Sequence, residues 1–368
     1  MSQTNTIQNN SALIALLQQE AKQLLEKLIA TPSFSKEEDK TADLIQAYLH
    51  QKKVKTERKK NNIWAMNTHY DAKKPTLLLN SHHDTVKPNK GFTLDPFTPI
   101  EKEGKLFGLG SNDAGGCLVS LIATFLYYYE YTNLPFNIIL VASAEEEISG
   151  HDGIEVALPL LPKIDFGIVG EPTILEMAIA ERGLLVLDVV ATGKSGHAAR
   201  EEGESALYKM LPTIEWFKNY EFEKVSELLG KVKMTVTVIE TENKQHNVVP
   251  SSCKIVVDVR VNELYTFEEI LETISKHVNA TVTPRSLRMR STSIALDHPL
   301  IQAGKALGKG YYGSVTTSDK ALMPFPTLKM GPGNSARSHT ADEFIFVKEI
   351  EEGINTYIQL IDKMITHE

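Results

Sequence analysis

Apolar residues recur at helical spacing over residues 13–29, and Thr31-Pro32-Ser33 stops the pattern. A second helix is expected over residues 36–51. Two strands follow, at 62–67 and 76–80, and the second is apolar throughout, as the buried centre of a sheet requires. His82 then falls just past its carboxyl end. Residues 115–129 form a helical pattern opening on Gly-Gly, while 137–143 and 166–170 are further buried strands. Strands alternating with helices predict an α/β fold with a mixed central sheet flanked by helices, and such sheets receive ligands at the carboxyl ends of their strands.

The texture changes after residue 178. Strands are expected at 184–191, 233–240, 254–262 and near 280–285, with helices at 206–218 and 266–277. Strand, helix, strand, strand, helix, strand is the split β-α-β order of a small α+β, ferredoxin-like domain. After residue 290 the α/β texture returns, with a helix at 299–307. The expected organisation is a discontinuous domain of residues 1–178 and 291–368, interrupted by an inserted domain at 179–290. No internal repeat or low-complexity segment is evident.

Composition agrees with two cores: 368 residues, 42% hydrophobic and 23% charged, suit a globular chain of two domains. A formal charge of -8 disfavours nucleic acid as a partner, because phosphate binding needs clustered cations. A local pocket can still be positive. Cys117 and Cys253 lie in apolar contexts far apart, which reads as two packed thiols in a reducing compartment. The polar stretch at 1–10 lacks a secretory pattern and no apolar run approaches a membrane span, so a cytoplasmic location without membrane contact is expected. The basic run at 52–60 reads as a solvated helix end and edge strand in preference to an anion-binding patch.

Chemistry concentrates in five short motifs. They are His82 and Asp84 in Asn-Ser-His-His-Asp-Thr-Val, Asp113 in Gly-Ser-Asn-Asp-Ala-Gly-Gly, Glu146 and Glu147 in Ala-Glu-Glu-Glu, Glu171 in Val-Gly-Glu-Pro-Thr, and His339 in Ser-His-Thr-Ala-Asp-Glu. Imidazoles and carboxylates without thiolates suit a paired hydrolytic metal site better than a structural one. Each motif has a plain competitor. His-x-Asp places both side chains on one face of an extended segment, so Asp84 is able to hydrogen-bond the His82 imidazole, yet a capped turn with a stray histidine looks the same. His83, on the opposite face, reads as structural. Asp113 precedes Ala-Gly-Gly at a helix start, where an N-cap is the ordinary role and, for that residue alone, the favoured one. Three adjacent glutamates are usually a solvated acidic turn, but these follow a buried strand, where they repel one another unless cations or solvent compensate. Glu171 also ends a buried strand. Together, at strand ends, the motifs form a constellation that chance rarely supplies.

In these motifs and their order along nearly the whole chain, the sequence resembles the co-catalytic zinc hydrolases that include acetylornithine deacetylase, succinyl-diaminopimelate desuccinylase, aminoacylase and carboxypeptidase G. The resemblance implies a zinc-peptidase-like domain holding two Zn2+, with Co2+ or Mn2+ as substitutes in vitro. Asp113 then bridges both ions, His82 and Glu171 complete one site, and Glu147 and His339 the other. Glu146 falls on the catalytic base and Asp84 on the carboxylate that orients His82, with the register of the three glutamates fixed by aligning Glu145 with the family's usual aspartate. In that scheme the metals acidify a shared water, and Glu146 takes its proton and later returns it to the leaving amine. The inserted domain is expected to carry homodimer contacts and to close over the site. Gly193-Lys194-Ser195-Gly196-His197-Ala198-Ala199 matches the segment whose histidine stabilises the oxyanion, often across the dimer. Arg182, Asn247 and Arg260 match positions used around the substrate's carboxylate or backbone, with surface ion pairs as the rival role for both arginines.

Thr316-Thr317-Ser318-Asp319-Lys320 and Gly331-Pro332-Gly333 occupy the place that holds the substrate's α-carboxylate in such enzymes. Lys320 departs from the arginine or neutral residue often found there. It favours an anionic ligand group, or else pairs with Asp319. Similarity over 178–200 and 320–344 points toward acetylornithine deacetylases, which convert N-acetyl-L-ornithine to ornithine and acetate in arginine biosynthesis. The alternatives are succinyl-diaminopimelate desuccinylase, an N-succinylornithine or N-acetylcitrulline deacylase, a dipeptidase of the same family and, more distantly, an inactive metal-binding scaffold.

Overall fold

A computed structural model describes residues 10–200 and 202–366. The amino-terminal stretch expected to lack a secretory pattern lies, apart from Asn10, outside the described residues. The chain divides into two compact units, one drawn from Met1–Ile179, Ile294–Tyr312 and Ser318–Glu368, the other from Ala180–Ser293 and Gly313–Thr317.

The first unit is built on a mixed sheet in the order Thr56–Lys59, Asn62–Met66, Asn137–Ser143, Thr76–His82, Phe166–Val169, Thr327–Lys329 and Met177–Glu181. Thr76–His82 pairs in parallel with Asn137–Ser143 on one side and Phe166–Val169 on the other. All three strands are buried along their whole length, as a parallel core covered on both faces demands. The helix Gly116–Tyr128 packs on two of these strands and against the helices Ser11–Ile29 and Val347–Thr366. On the opposite face Leu78, Ile139 and Val141 meet Trp64, Ile154, Ala157 and Met323. The expected basic run ends in the edge strand Thr56–Lys59, with Lys52 paired to Glu20, Arg58 to Asp43 and Lys60 to Asp152.

Several expected boundaries shift for local reasons. The second helix begins at Asp39 and not at 36, because Lys36 has φ of 77° and Glu38 turns its carboxylate back to accept from Lys36 N at 2.7 Å. His82 is the last residue of its strand and not the one beyond it, since it stays in register with Ser143. A small antiparallel sheet of Ile100–Lys102, Lys105–Phe107 and Phe344–Phe346 was not expected, its strands being three residues each. Among the described residues no helix is long and apolar enough to cross a membrane.

The second unit has an antiparallel sheet in the order Lys233–Thr241, Ser252–Val261, Gly183–Thr192 and Thr281–Pro284, with the helices Ala206–Asn219 and Phe267–His277. Inward alternate residues such as Leu185, Leu187, Val189, Ile255, Val257 and Val259 form its core with Met210, Phe217, Phe267 and Ile270. Thr266 and Glu269 form a reciprocal capping box on the second helix. Gly313–Thr317, expected within the larger domain, belongs here because Ser314 O accepts from Arg182 N and Thr317 Oγ1 donates to Arg182 O.

Asp188, on the strand Gly183–Thr192, accepts from Arg285 Nη2 and Nε at 2.9 and 3.1 Å and from Lys254 Nζ at 3.0 Å. Arg285 first, then Lys254, hold its carboxyl down at about 2. A depressed folded pKa stabilises above the unfolded value near about 4 and is lost as pH falls through the folded one. The stability difference between wild type and Asp188→Asn is therefore expected to stay level at neutral pH and to close as pH falls from about 4 toward 2. Urea unfolding followed by Trp216 fluorescence in a Trp64→Phe background measures it, and a gap that widens with acid would contradict the assignment.

Candidate metal centre

Parallel pairing sends three strands out of the sheet at one edge, so His82, the turn at 145–147 and Glu171 emerge together. His82 Nε2 lies 3.4 Å from Asp113 Oδ1, 3.8 Å from Glu171 Oε1 and 3.9 Å from Glu146 Oε2. His339 Nε2 lies 2.9 Å from Glu147 Oε2 and 3.6 Å from Asp113 Oδ2. Asp113 thus turns a different oxygen to each imidazole. Two donor groupings result, His82 with Asp113 and Glu171, and Asp113 with Glu147 and His339, each with ligand atoms within 4.8 Å of one another. The N-cap role for Asp113 does not hold: it lies in the turn Ser111–Gly115 with φ of -118° and ψ of 98°, and the helix starts only at Gly116.

The three glutamates separate. Glu145, with φ of 54°, turns inward, its N–H donating to Glu38 Oε1 at 3.2 Å and its Oε2 accepting from Asp152 N at 3.4 Å. Glu146 and Glu147 are left facing the imidazoles. Asp84 fixes that turn, since Oδ1 accepts from Glu146 N at 3.0 Å and Oδ2 from Glu147 N at 3.2 Å and Ser35 Oγ at 2.7 Å. Its carboxylate stands 3.4 Å from His82 Nδ1, which contacts the Asp84 backbone carbonyl at 3.0 Å. His83 points away, held by Thr41 Oγ1 and Asn61 O, and burial lowers its pKa.

The electrostatics ask for cations. Burial, then the charges of neighbouring carboxylates, push Glu146 well above the usual range despite His82, and burial raises Glu147 against the pull of His339. Burial with neighbouring charge also takes Asp319 up to about 6 and Glu343 up to about 8. Burial disfavours charge on His82, but Asp113 and Asp84 outweigh it and raise the imidazole well above its ordinary value, while Glu147 takes His339 up to about 9. Burial raises Asp113 and Asp84, but proximity to His82 and further hydrogen bonds together outweigh it and lower both. His82 Nε2 is buried with no hydrogen-bond partner. A carbonyl can only accept, so Nδ1 carries a proton and donates to Asp84 O, which leaves Nε2, aimed at carboxylate oxygens, as the nitrogen a metal ion would take in place of a second proton. The residues fit a pair of divalent cations.

Residues 78–363 match the sequence profile of peptidase family M20/M25/M40. The chain belongs to this family. It is 27% identical over 370 residues to the succinyl-diaminopimelate desuccinylase of Wolbachia pipientis subsp. Culex pipiens, covering 92% of each chain. It is 29% identical over 313 residues to the acetylornithine deacetylase of Proteus mirabilis, covering 78% of this chain and 79% of that one. A dinuclear metal-binding peptidase of the M20 family from Bacillus subtilis shares the fold at 14% identity, with a TM-score of 0.69 over 94% of this chain and 98% of that one. The desuccinylase matches along more of the chain and the deacetylase at slightly higher identity, so the expected leaning toward acetylornithine deacetylases is not supported by these matches. As an M20 member the chain is a hydrolase with a metal-dependent amidohydrolase's donor set.

The residues expected around substrate have the following surroundings. Lys320 is 1% exposed with Nζ 3.5 Å from Ala178 O, and so is turned into the fold. Its neighbour Asp319 accepts from Ser143 Oγ at 2.6 Å. Gly331 is buried, where an added Cβ would meet Cys117 Sγ and Glu171 O at 2.6 Å, so it serves close packing behind Glu171. In the second unit Arg182 donates to Leu229 O and Arg260 grips Asp258 on its own strand at 2.8 and 3.0 Å, the ion-pair role in the latter case. His197 and Asn247 come together in a short ribbon, where Ala198 N donates to Asn247 O at 2.9 Å, and His197 is exposed.

One residue was missed. Glu343, 2% exposed, accepts from Gly110 N at 3.1 Å, Asn112 N at 2.8 Å and Asp113 N at 2.9 Å. It closes the motif that carries His339, the only cue the sequence held. Because Asp113 serves both groupings, Asp113→Ala is expected to abolish both bound metals, whereas Glu171→Gln leaves one. Elemental analysis of gel-filtered protein tests this, and two metals retained by Asp113→Ala would contradict the shared ligand.

Proposed function

We infer that the protein hydrolyses the amide of an N-acylated amino acid, with His82, Asp113 and Glu171 holding one divalent metal and Asp113, Glu147 and His339 the other. The observation that carries this is the shared Asp113, with Glu146 Oε2 3.9 Å from His82 Nε2. Bound there, divalent metals supply Lewis acidity and bring water's pKa toward neutrality, zinc being the ion best matched to this donor set. Glu146 takes the proton of the attacking water and returns it to the leaving amine. Asp84 holds the Glu146 and Glu147 backbone so that neither carboxylate swings away.

His197, exposed on its ribbon, is assigned to the oxyanion in a homodimer formed through the second unit. Support comes from the edge strand Lys233–Thr241, which leaves Val238 and Ile239 exposed, and from Tyr208 and Leu211 on the adjoining helix.

Among substrates, N-succinyl-diaminopimelate leads, because a desuccinylase matches over 92% of the chain. N-acetylornithine is the second reading, carried by the 29% identity to a deacetylase. The zinc-loaded enzyme is expected to prefer one of these in a panel that also holds N-succinylornithine, N-acetylcitrulline and dipeptides. Faster cleavage of dipeptides than of every acyl amino acid would overturn the reading. On the preferred substrate, Glu146→Gln is expected to keep its metal and lose about 10²- to 10⁴-fold in kcat, and His197→Ala about 10²- to 10³-fold. Steady-state kinetics on dimeric protein checks both, and rates within a few-fold of wild type would remove the roles.

A further inference from the structure

His339 is the ligand with the least support from regular structure. It sits in an exposed loop, its backbone is left-handed with φ of 59°, and its side chain is 54% exposed, against 7% for its partner Glu147. A non-glycine residue persists in that conformation only where its surroundings over-determine it. Asn89 Nδ2 donates to His339 O at 3.2 Å, but that contact is itself exposed.

Two residues before His339 there is a much firmer anchor. The Arg337 guanidinium grips Glu349 through two bonds, Nη1 to Oε2 at 2.6 Å and Nη2 to Oε1 at 2.9 Å, with both side chains only 18% exposed. The planar fork lies 4.8 Å from the Phe344 ring centre and 5.1 Å from that of Phe346. Lys105 Nζ approaches the same two rings at 4.5 and 5.6 Å. Alternate residues of a strand share a face, so Phe344 and Phe346 form one aromatic bed for the ion pair. Glu349 also accepts from Phe346 N at 2.9 Å in the first turn of Val347–Thr366, the helix that packs on Gly116–Tyr128. Thr340 Oγ1 closes the loop by donating to Arg337 O at 2.7 Å. Arg337 therefore fastens the histidine loop to the helical layer that follows the Asp113 turn.

We propose that Arg337, through its bidentate pair with Glu349, is the positioning residue that sets His339 against Glu147, and so controls metal affinity at the Asp113, Glu147, His339 grouping alone. The proposal rests on the metal centre described above. A lysine in its place keeps the charge but not the two-bond geometry, and so restores the placement only in part.

Calorimetric titration of the metal-free full chain with Zn2+ tests it, with the Co2+ absorption spectrum as a second readout. The step lost in Glu147→Gln identifies the grouping. In Arg337→Met, and separately in Glu349→Gln, that step is expected to weaken by about 10- to 100-fold while the other is unchanged. Arg337→Lys falls between, which keeps the question open to test if the methionine variant does not fold. Unchanged affinity in these variants, or equal weakening of both steps, overturns the positioning role. Absence of two binding steps in the wild-type protein would instead overturn the metal centre itself.

Discussion

Parallel pairing of Thr76–His82 with its two neighbours is the constraint from which the site follows. Parallel strands run the same way, so whatever ends each of them arrives at one edge of the sheet. The register places His82 opposite Ser143 and Asn80 opposite Val169. The next few residues of all three segments must therefore share a small volume, and those residues are Asp84, Glu145 to Glu147 and Glu171. The apolar burial of the strands supplies the free energy that brings these acids together. Nothing in the acids themselves does.

Such crowding costs stability unless it is compensated. The backbone provides part of the answer: Glu38, Asp84 and Glu343 each spend their carboxylate on N–H groups of the turns that present the ligands. Hydrogen bonds to a charged acceptor contribute about 1.5 to 3 kcal/mol apiece, and here they also fix the turns. The carboxylates of Asp113, Glu146, Glu147 and Glu171 are instead turned toward the two imidazoles. A fold that spends one set of acids on holding a second set in mutual repulsion is organised for cations.

Much of this was legible in the sequence, and the reasons differ by element. Long periodic segments such as Asn137–Ser143 and Ala206–Asn219 were read within a residue or two because a buried face imposes its period on composition. Strands of three residues, Ile100–Lys102 and Phe344–Phe346, carry too few positions for any period to show. The final helix Val347–Thr366, which buries Ile350, Ile354, Tyr357, Ile358 and Ile361 along one face, was not among the expected elements. At the site, His82, Asp113, Glu147, Glu171 and His339 were named from motif order. Asp113 by itself pointed to an N-cap, since local context cannot reveal that a partner lies more than two hundred residues away. Glu343 escaped for the same reason, because a glutamate that binds three backbone groups looks, in sequence, like any surface acid. Lys320 is buried, which its charge alone does not foretell.

The shared aspartate has one further consequence. An oxygen of Asp113 turned toward each imidazole means that displacing this residue by a fraction of an ångström changes both groupings at once, whereas displacing His82 or His339 changes only one. The parts of the fold that hold Asp113 are buried: Glu343, Asn112 and the start of Gly116–Tyr128. Asn112 adds a second tie, its amide spanning to Asn334 through Nδ2 to O at 3.1 Å and Asn334 N to Oδ1 at 3.0 Å. That tie joins the Asp113 turn to the loop that ends in His339. Burial is uneven across the centre, from the His82 side chain at 1% exposed to that of His339 at 54%, so His339 is the donor that solvent reaches most easily.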